Sequence, residues 1–239
     1  MKFINNKNIG FEKSSYFFMF LFIIAFVGFW PTYFSNFFKS TFNLSHYMHF
    51  HAAMASLWIC LLIIQPILIH NKKYFLHKIT GKLSYFLAPL FYLSVILMAH
   101  SSLNGVNETM VWHKLWIPLK DLIIFGTAYL IAIKYRSNSA IHARSMIVTG
   151  IVFIEPSLVR FIGYMFFPTN SSMAYWITII IIYLVLFFMI LNERNKENGR
   201  WIFPLTVILY LFFHMVFIFQ IEIGFWIHFS KWFATLQLT

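Results

Sequence analysis

The sequence predicts an all-α, polytopic transmembrane bundle of about seven helices, with the N-terminus in the cytoplasm and the C-terminus outside. Three observations predict it. Hydrophobic residues make up 60% of the chain, charged residues only 10%, and the mean hydropathy is +0.74, against roughly 25% charged in a soluble domain. Seven apolar stretches approach the ~20 residues that a membrane-spanning helix needs. The Lys and Arg residues between them gather on alternate sides.

Taken in order, Met1 to Lys13 is short, polar and basic, and the apolar run behind it lacks a small-residue cleavage pattern. It therefore reads as a retained first span, Tyr16 to Phe34, and not as a signal peptide. The further spans are Tyr47 to Ile69, Leu83 to Ala99, Val111 to Ile133, Ser145 to Phe167, Ala174 to Leu191 and Trp201 to Ile221. Connections such as His70 to Lys82 and Asn192 to Arg200 leave no room for an inserted domain. No soluble domain is expected before or after the spans, so residues 1–239 read as one bundle domain. The single cysteine, Cys60, excludes an intramolecular disulfide and a cysteine-based zinc site.

Orientation follows from the basic residues, because cytoplasmic loops near spans retain positive charge. Lys2, Lys7, Lys13, Lys72, Lys73, Lys78, Lys82, Lys134, Arg136, Arg144, Arg194, Lys196 and Arg200 fall on one side, 13 in all; Lys39, Lys114 and Lys231 fall on the other. The net charge of +11 is thus mainly a topology signal with attraction to anionic lipid. Membrane lipid is the expected partner, nucleic acid is not, and the bacterial inner membrane is the expected location.

Functional groups are best sought where hydrocarbon makes them expensive, since a charge at mid-bilayer costs ~3 kcal/mol even on insertion scales. Lys120 and Asp121 in the fourth span, Glu155 and Arg160 in the fifth and His214 in the seventh lie in the central or outer half of the bundle. Residues seven or eighteen apart share a helix face, which pairs His113 with Lys120 and His142 with Arg160. The same phase puts His51, Trp58 and Gln65 on one stripe of the second span. Glu155 and Arg160 are expected to face protein, with Lys120 or His214 the partner of Glu155. Either these charges form structural ion pairs between helices, or they line an outward-facing pocket or proton path. Pro156 predicts a kink in the fifth span beside Glu155.

The histidines permit a second reading. His51 and His113 sit at the outer ends of spans two and four, and His77 and His142 at the inner ends of spans three and five. This alternation resembles the cytochrome b561 family, in which two haems relay electrons across the bilayer. The resemblance implies haem b held by His51 with His113 and by His77 with His142, the ligating nitrogens of each pair about 4 Å apart. A metal shared among His46, His49, His51 and His113 is disfavoured, because His49 and His51 are two apart on a helix and point about 200° from one another. No metal beyond haem iron is expected.

A further likeness lies in the loops. His51 is followed by Gln65, then by His77-Lys78 with Gly81-Lys82, then by His142-Ala143-Arg144-Ser145-Met146 and Arg160. This pattern resembles an uncharacterised family of bacterial predicted membrane proteins, marked by a His-Arg-x-x-Gly-Arg loop and a His-x-Arg-x-Met loop. The resemblance covers the second to fifth spans and implicates His51, Gln65, His77, Gly81, His142, Met146 and Arg160, with no activity to transfer. Lys78 and Lys82 stand where the family has Arg, which keeps charge but loses bidentate pairing. Both loops would lie at the inner face, where His77, Lys78, His142 and Arg144 offer a basic pocket for an anionic group.

Three function classes follow. The first is a haem- or quinone-linked membrane redox protein. The second is a transporter or proton-linked permease, taking a small ligand at Lys120, Asp121, Glu155, Arg160 and His214. The third is a non-catalytic assembly or scaffold protein whose polar groups fix helix packing. The redox reading is placed first because it uses both the histidine alternation and the loops.

Overall fold

The computed structural model describes residues 14–38 and 45–239, and all regular structure among them is helical. Five stretches are long and apolar enough to cross a membrane: His46–His70, Tyr74–Ser101, Glu108–Lys134, Ser139–Phe166 and Ser171–Glu193. Two shorter apolar helices, Ser14–Phe29 and Ile202–Ile218, fall where the sequence places the first and last spans. Lys2, Lys7, Lys13 and Lys39, which entered the orientation argument, lie outside the described residues.

The helices are α1 (Ser14–Phe29), α2 (His46–His70), α3 (Tyr74–Gly81), α4 (Ser84–Ser101), α5 (Val111–Lys134), α6 (Ser139–Ile151), α7 (Ile154–Phe166), α8 (Ser171–Glu193), α9 (Ile202–Ile218) and α10 (Gly224–Ala234). Local chemistry sets several boundaries. Ser45, Asn138 and Asn170 cap α2, α6 and α8, each side chain accepting from first-turn amides that lack a helical partner. Lys72 takes a left-handed φ of 57° and turns the chain from α2 into α3.

The fifth predicted span is two helices, not one. Pro156 has no N–H for the carbonyl of Val152, and its ring crowds that turn. The helix breaks at Val152 and Phe153 accordingly, with α6 ending at Ile151 and α7 beginning at Ile154. Glu155 consequently sits in the first turn of a new helix, where unpaired amides favour negative charge.

The bundle packs through close backbone approaches at glycine. A Cβ on Gly28 of α1 would lie 2.7 Å from the Ser157 carbonyl oxygen of α7, so these two helices touch main chain to main chain. Gly150 leaves room for the Phe18 ring, and Gly126 for the Tyr92 hydroxyl, which donates to Leu122 O. The main core joins Trp58, Ile124, Phe125, Ile151, Phe203 and Tyr210; a second cluster joins Trp112, Trp116, Phe213 and Trp226. Trp226 belongs to α10, an element the sequence reading leaves unassigned. Its indole donates to Trp112 O at 2.9 Å, docking the helix on the start of α5.

Candidate functional site

The intramembrane charges converge. Lys120, on α5, is 1% exposed, and Glu155 and His214 are each 3% exposed, so all three are out of reach of bulk water. The Lys120 ammonium donates to Glu155 Oε2, and it also lies 3.2 Å from Asp121 Oδ1. His214 Nε2 stands 3.1 Å from the same Glu155 oxygen. Both partners expected for Glu155 are therefore in place, one from α5 and one from α9.

Phase explains how α5 and α9 meet. His113 and Lys120, seven apart, lie opposite Phe217 and Tyr210, also seven apart: the His113 ring stacks on Phe217 at 4.3 Å, and the Lys120 ammonium lies 5.5 Å from the Tyr210 ring centre. Trp116 donates its indole N–H to Phe213 O at 2.9 Å, which fixes the backbone beside His214.

Three tyrosines wall the cluster. Tyr183 of α8 places its hydroxyl 3.0 Å from His214 Nδ1. Glu155 accepts at Nε2, so the imidazole proton belongs on Nε2, and Nδ1 accepts from Tyr183. The rings of Tyr210 and Tyr175 lie 5.4 and 6.4 Å from the His214 ring. Their buried hydroxyls have no hydrogen-bond partner among the described residues. Two unfilled hydroxyls beside one charge cluster suit a water or a small polar ligand.

Arg160 stands apart on α7. Its Nη1 donates to Pro156 O at 2.9 Å and its guanidinium lies over the Phe29 ring at 4.4 Å. Asp121 and His51 are within electrostatic range, yet no carboxylate among the described residues is at ion-pair distance. The predicted common face of His142 and Arg160 is not realised: His142 bonds to Ala132 O at 2.9 Å while Arg160 turns to α1. The break at Pro156 lies between them and resets the helical phase.

The residues do not fit two bis-histidine haems. His51 turns to α4, its Nδ1 3.2 Å from Ser94 Oγ, while His113 stacks on Phe217 of α9. The space beside His51 is filled by Phe91, whose ring packs against those of Phe125 and Phe153 at 4.8 and 5.2 Å. His77 and His142 are within electrostatic range of one another, but Gln65 also contacts His77. With its amide oriented to satisfy both ends, Gln65 donates to His77 Nδ1 and to His77 O, and accepts from Gly81 N at 3.0 Å and Thr80 Oγ1 at 2.7 Å. That leaves the His77 proton on Nε2, the nitrogen a metal would need. His49 is taken by Tyr33, whose hydroxyl is 2.9 Å from its Nδ1.

The loop residues Gln65, His77 and Gly81 are thus one hydrogen-bonded unit that ties α2 to α3. Met146 packs at the core edge, its carbonyl accepting from Thr149, which in turn receives the Trp58 indole N–H at 3.2 Å. Arg144 is not available to an anionic headgroup, because it is buried and paired with Glu193 of α8. Sequence reasoning missed Glu193, Tyr175, Tyr183 and Tyr210. Tyrosines in mid-span, away from the interfaces where they usually collect, are the signal that marks the last two.

No family model matches the chain, and no curated protein and no solved structure matches it significantly. The likeness at the loops accordingly stands on those residues alone.

Proposed function

We propose that the chain is a proton-linked permease of the bacterial inner membrane, crossing it seven times from a cytoplasmic N-terminus. α1 and α9 supply the two spans beyond the five long ones. The observation that carries the reading is the sharing of one carboxylate oxygen, Glu155 Oε2, by Lys120 and His214 at a helix break inside an apolar bundle. Buried charges are retained at such cost where ions or protons move, and a broken helix at the site is the form that transporters use for binding.

The two carboxylates, Asp121 and Glu155, share one close cation, Lys120. A proton arriving at Tyr183 has an ordered route: its hydroxyl faces His214 Nδ1, and Nε2 faces Glu155. Protonating either His214 or Glu155 upsets the balance around Lys120 and favours a different packing of α5, α7 and α9. The unfilled hydroxyls of Tyr175 and Tyr210 offer contacts to a small polar solute.

The test uses purified protein in liposomes with an interior pH dye and an imposed potential, challenged with amino acids, organic acids and sugars. Solute-dependent acidification is expected, and Glu155→Gln should abolish it. Liposomes that stay as tight to protons as protein-free ones under every solute would overturn the proposal. The redox alternative is separated by an absorption spectrum of the detergent-purified protein: the geometry predicts no Soret band, and a band shifted by dithionite would restore it.

A further inference from the structure

Among the described residues, Arg160 is a largely buried cation with no carboxylate at ion-pair distance. Lys120 is within ion-pair distance of both nearby carboxylates, Asp121 and Glu155. Arg160 donates to a backbone carbonyl and lies over an aromatic face, which uses one of its five N–H donors. It lies six residues before the end of α7, about 9 Å along the helix from Phe166. A cation at that depth with no carboxylate at ion-pair distance gains from an anion that meets it directly.

Next to it a groove of about 270 Å³ runs between α1 and α7, lined by Phe26, Val27, Trp30, Pro31, Tyr164 and Met165. The Phe29 and Arg160 stack adjoins it: Phe26 precedes Phe29 by three residues on α1, Trp30 follows the end of α1, and Tyr164 follows Arg160 by one turn on the same face of α7. The groove is apolar, and Trp30, Tyr164 and Met165 stay 44%, 45% and 61% exposed. Tyr164 lies within electrostatic reach of the guanidinium.

We propose that Arg160 and this groove bind a phosphate-bearing anionic phospholipid of the outer leaflet, with the phosphate on the guanidinium fork and an acyl chain between α1 and α7. Charge complementarity selects the occupant. A zwitterionic lipid brings a compensating ammonium and gains less from a lone arginine. The planar donor pair of arginine matches two phosphate oxygens. Asp121 is within electrostatic range of Arg160 but lies at ion-pair distance, 3.2 Å, from Lys120 instead. The site concerns lipid and not the proton route; its outer-leaflet assignment rests on the orientation proposed above, and lipid retention is read separately from proton transport.

The experiment is native mass spectrometry of the detergent-purified protein, titrated with phosphatidylglycerol, phosphatidylcholine or inorganic phosphate. The expected result is preferential retention of phosphatidylglycerol, reduced about tenfold in Arg160→Gln, the worth of one charge-assisted hydrogen-bonded pair. Lys231→Gln, at an exposed cation paired with Glu108, should bind as the unaltered protein does. Where Arg160→Gln fails to fold, Arg160→Lys keeps the charge but loses the fork, and retention should fall by a smaller factor. Equal retention of the two lipids, undiminished retention in the Arg160 variants, or displacement of lipid by millimolar inorganic phosphate would each overturn the proposal.

Discussion

His214 Nε2 lies 3.1 Å from Glu155 Oε2, and that one contact ties α9 to the break in the fifth span. The imidazole is held from both sides, because Tyr183 meets Nδ1 at 3.0 Å. A ring with both nitrogens engaged has one tautomer and one orientation, which is what an ordered proton step requires.

Lys120 is the keystone of the cluster's charge balance. Lys120→Met leaves Asp121 and Glu155 buried without their shared cation, and breaking a buried pair from one side costs about 3–5 kcal/mol. Glu155→Gln should cost less, because Asp121 still answers Lys120. Thermal unfolding in detergent should therefore rank Lys120→Met well below Glu155→Gln, with the double variant recovering part of the loss. Equal melting temperatures for all three would show that the ion pairs are not coupled.

Tyr183→Phe removes a single hydroxyl. It should leave stability within about 1 kcal/mol, the usual worth of one hydrogen bond. It also frees the His214 tautomer, and solute-driven acidification should slow by about tenfold, in the lower part of the range for proton-transfer contributions. An unchanged rate would take Tyr183 out of the route.

Much of this was legible in the sequence, for reasons that particular residues make plain. Apolar run length located the five long apolar helices, and depth alone singled out Lys120, Asp121, Glu155, Arg160 and His214, because nothing in hydrocarbon hides a charge. Helical phase worked within α5, where His113 and Lys120 do share the α9 face, and failed across Pro156. Glu193 was illegible because a carboxylate at the end of a span reads as solvated until Arg144 is seen beside it. α10 was illegible because an 11-residue amphipathic helix is too short for a hydropathy signal. Its anchor, an indole bonded to a carbonyl 114 residues away, is purely tertiary.

Arg144 and Glu193 join α6 to α8, with side-chain exposures of 4% and 11%. A double-mutant cycle with Arg144→Gln and Glu193→Gln should give a coupling of about 1–3 kcal/mol, as contacting charges inside a fold do. A coupling near zero would mean that the pair is solvated in the membrane-inserted protein.

Gly28 tests the contact on which the lipid groove depends. A Cβ there would meet Ser157 O at 2.7 Å and Phe161 N at 3.0 Å, both backbone atoms that cannot step aside. Gly28→Ala should push α1 from α7 and destabilise by about 1–3 kcal/mol, the usual cost of overpacking. Gly163→Ala is the control, because its Cβ would sit at an ordinary 3.7 Å from Ala174 Cβ. If the two variants melt together, α1 does not pack against α7 as described.

The topology carries the last prediction. Lys73 lies between the first two long spans and Arg194 follows the fifth, so with α1 crossing ahead of them and α9 crossing behind them both face one side. The basic residues make that side cytoplasmic. Reporter tags at Lys73 and Arg194 should be protected from external protease in intact cells, and a tag after Thr239 should be cleaved. α1 has 16 residues and α9 has 17, so each reaches about 25 Å of the ~30 Å hydrocarbon core. The apolar residues beyond them, Trp30 to Phe34 and Phe219 to Ile221, supply the remainder. With the Lys73 and Arg194 tags protected, a protected C-terminal tag would mean that α9 does not cross.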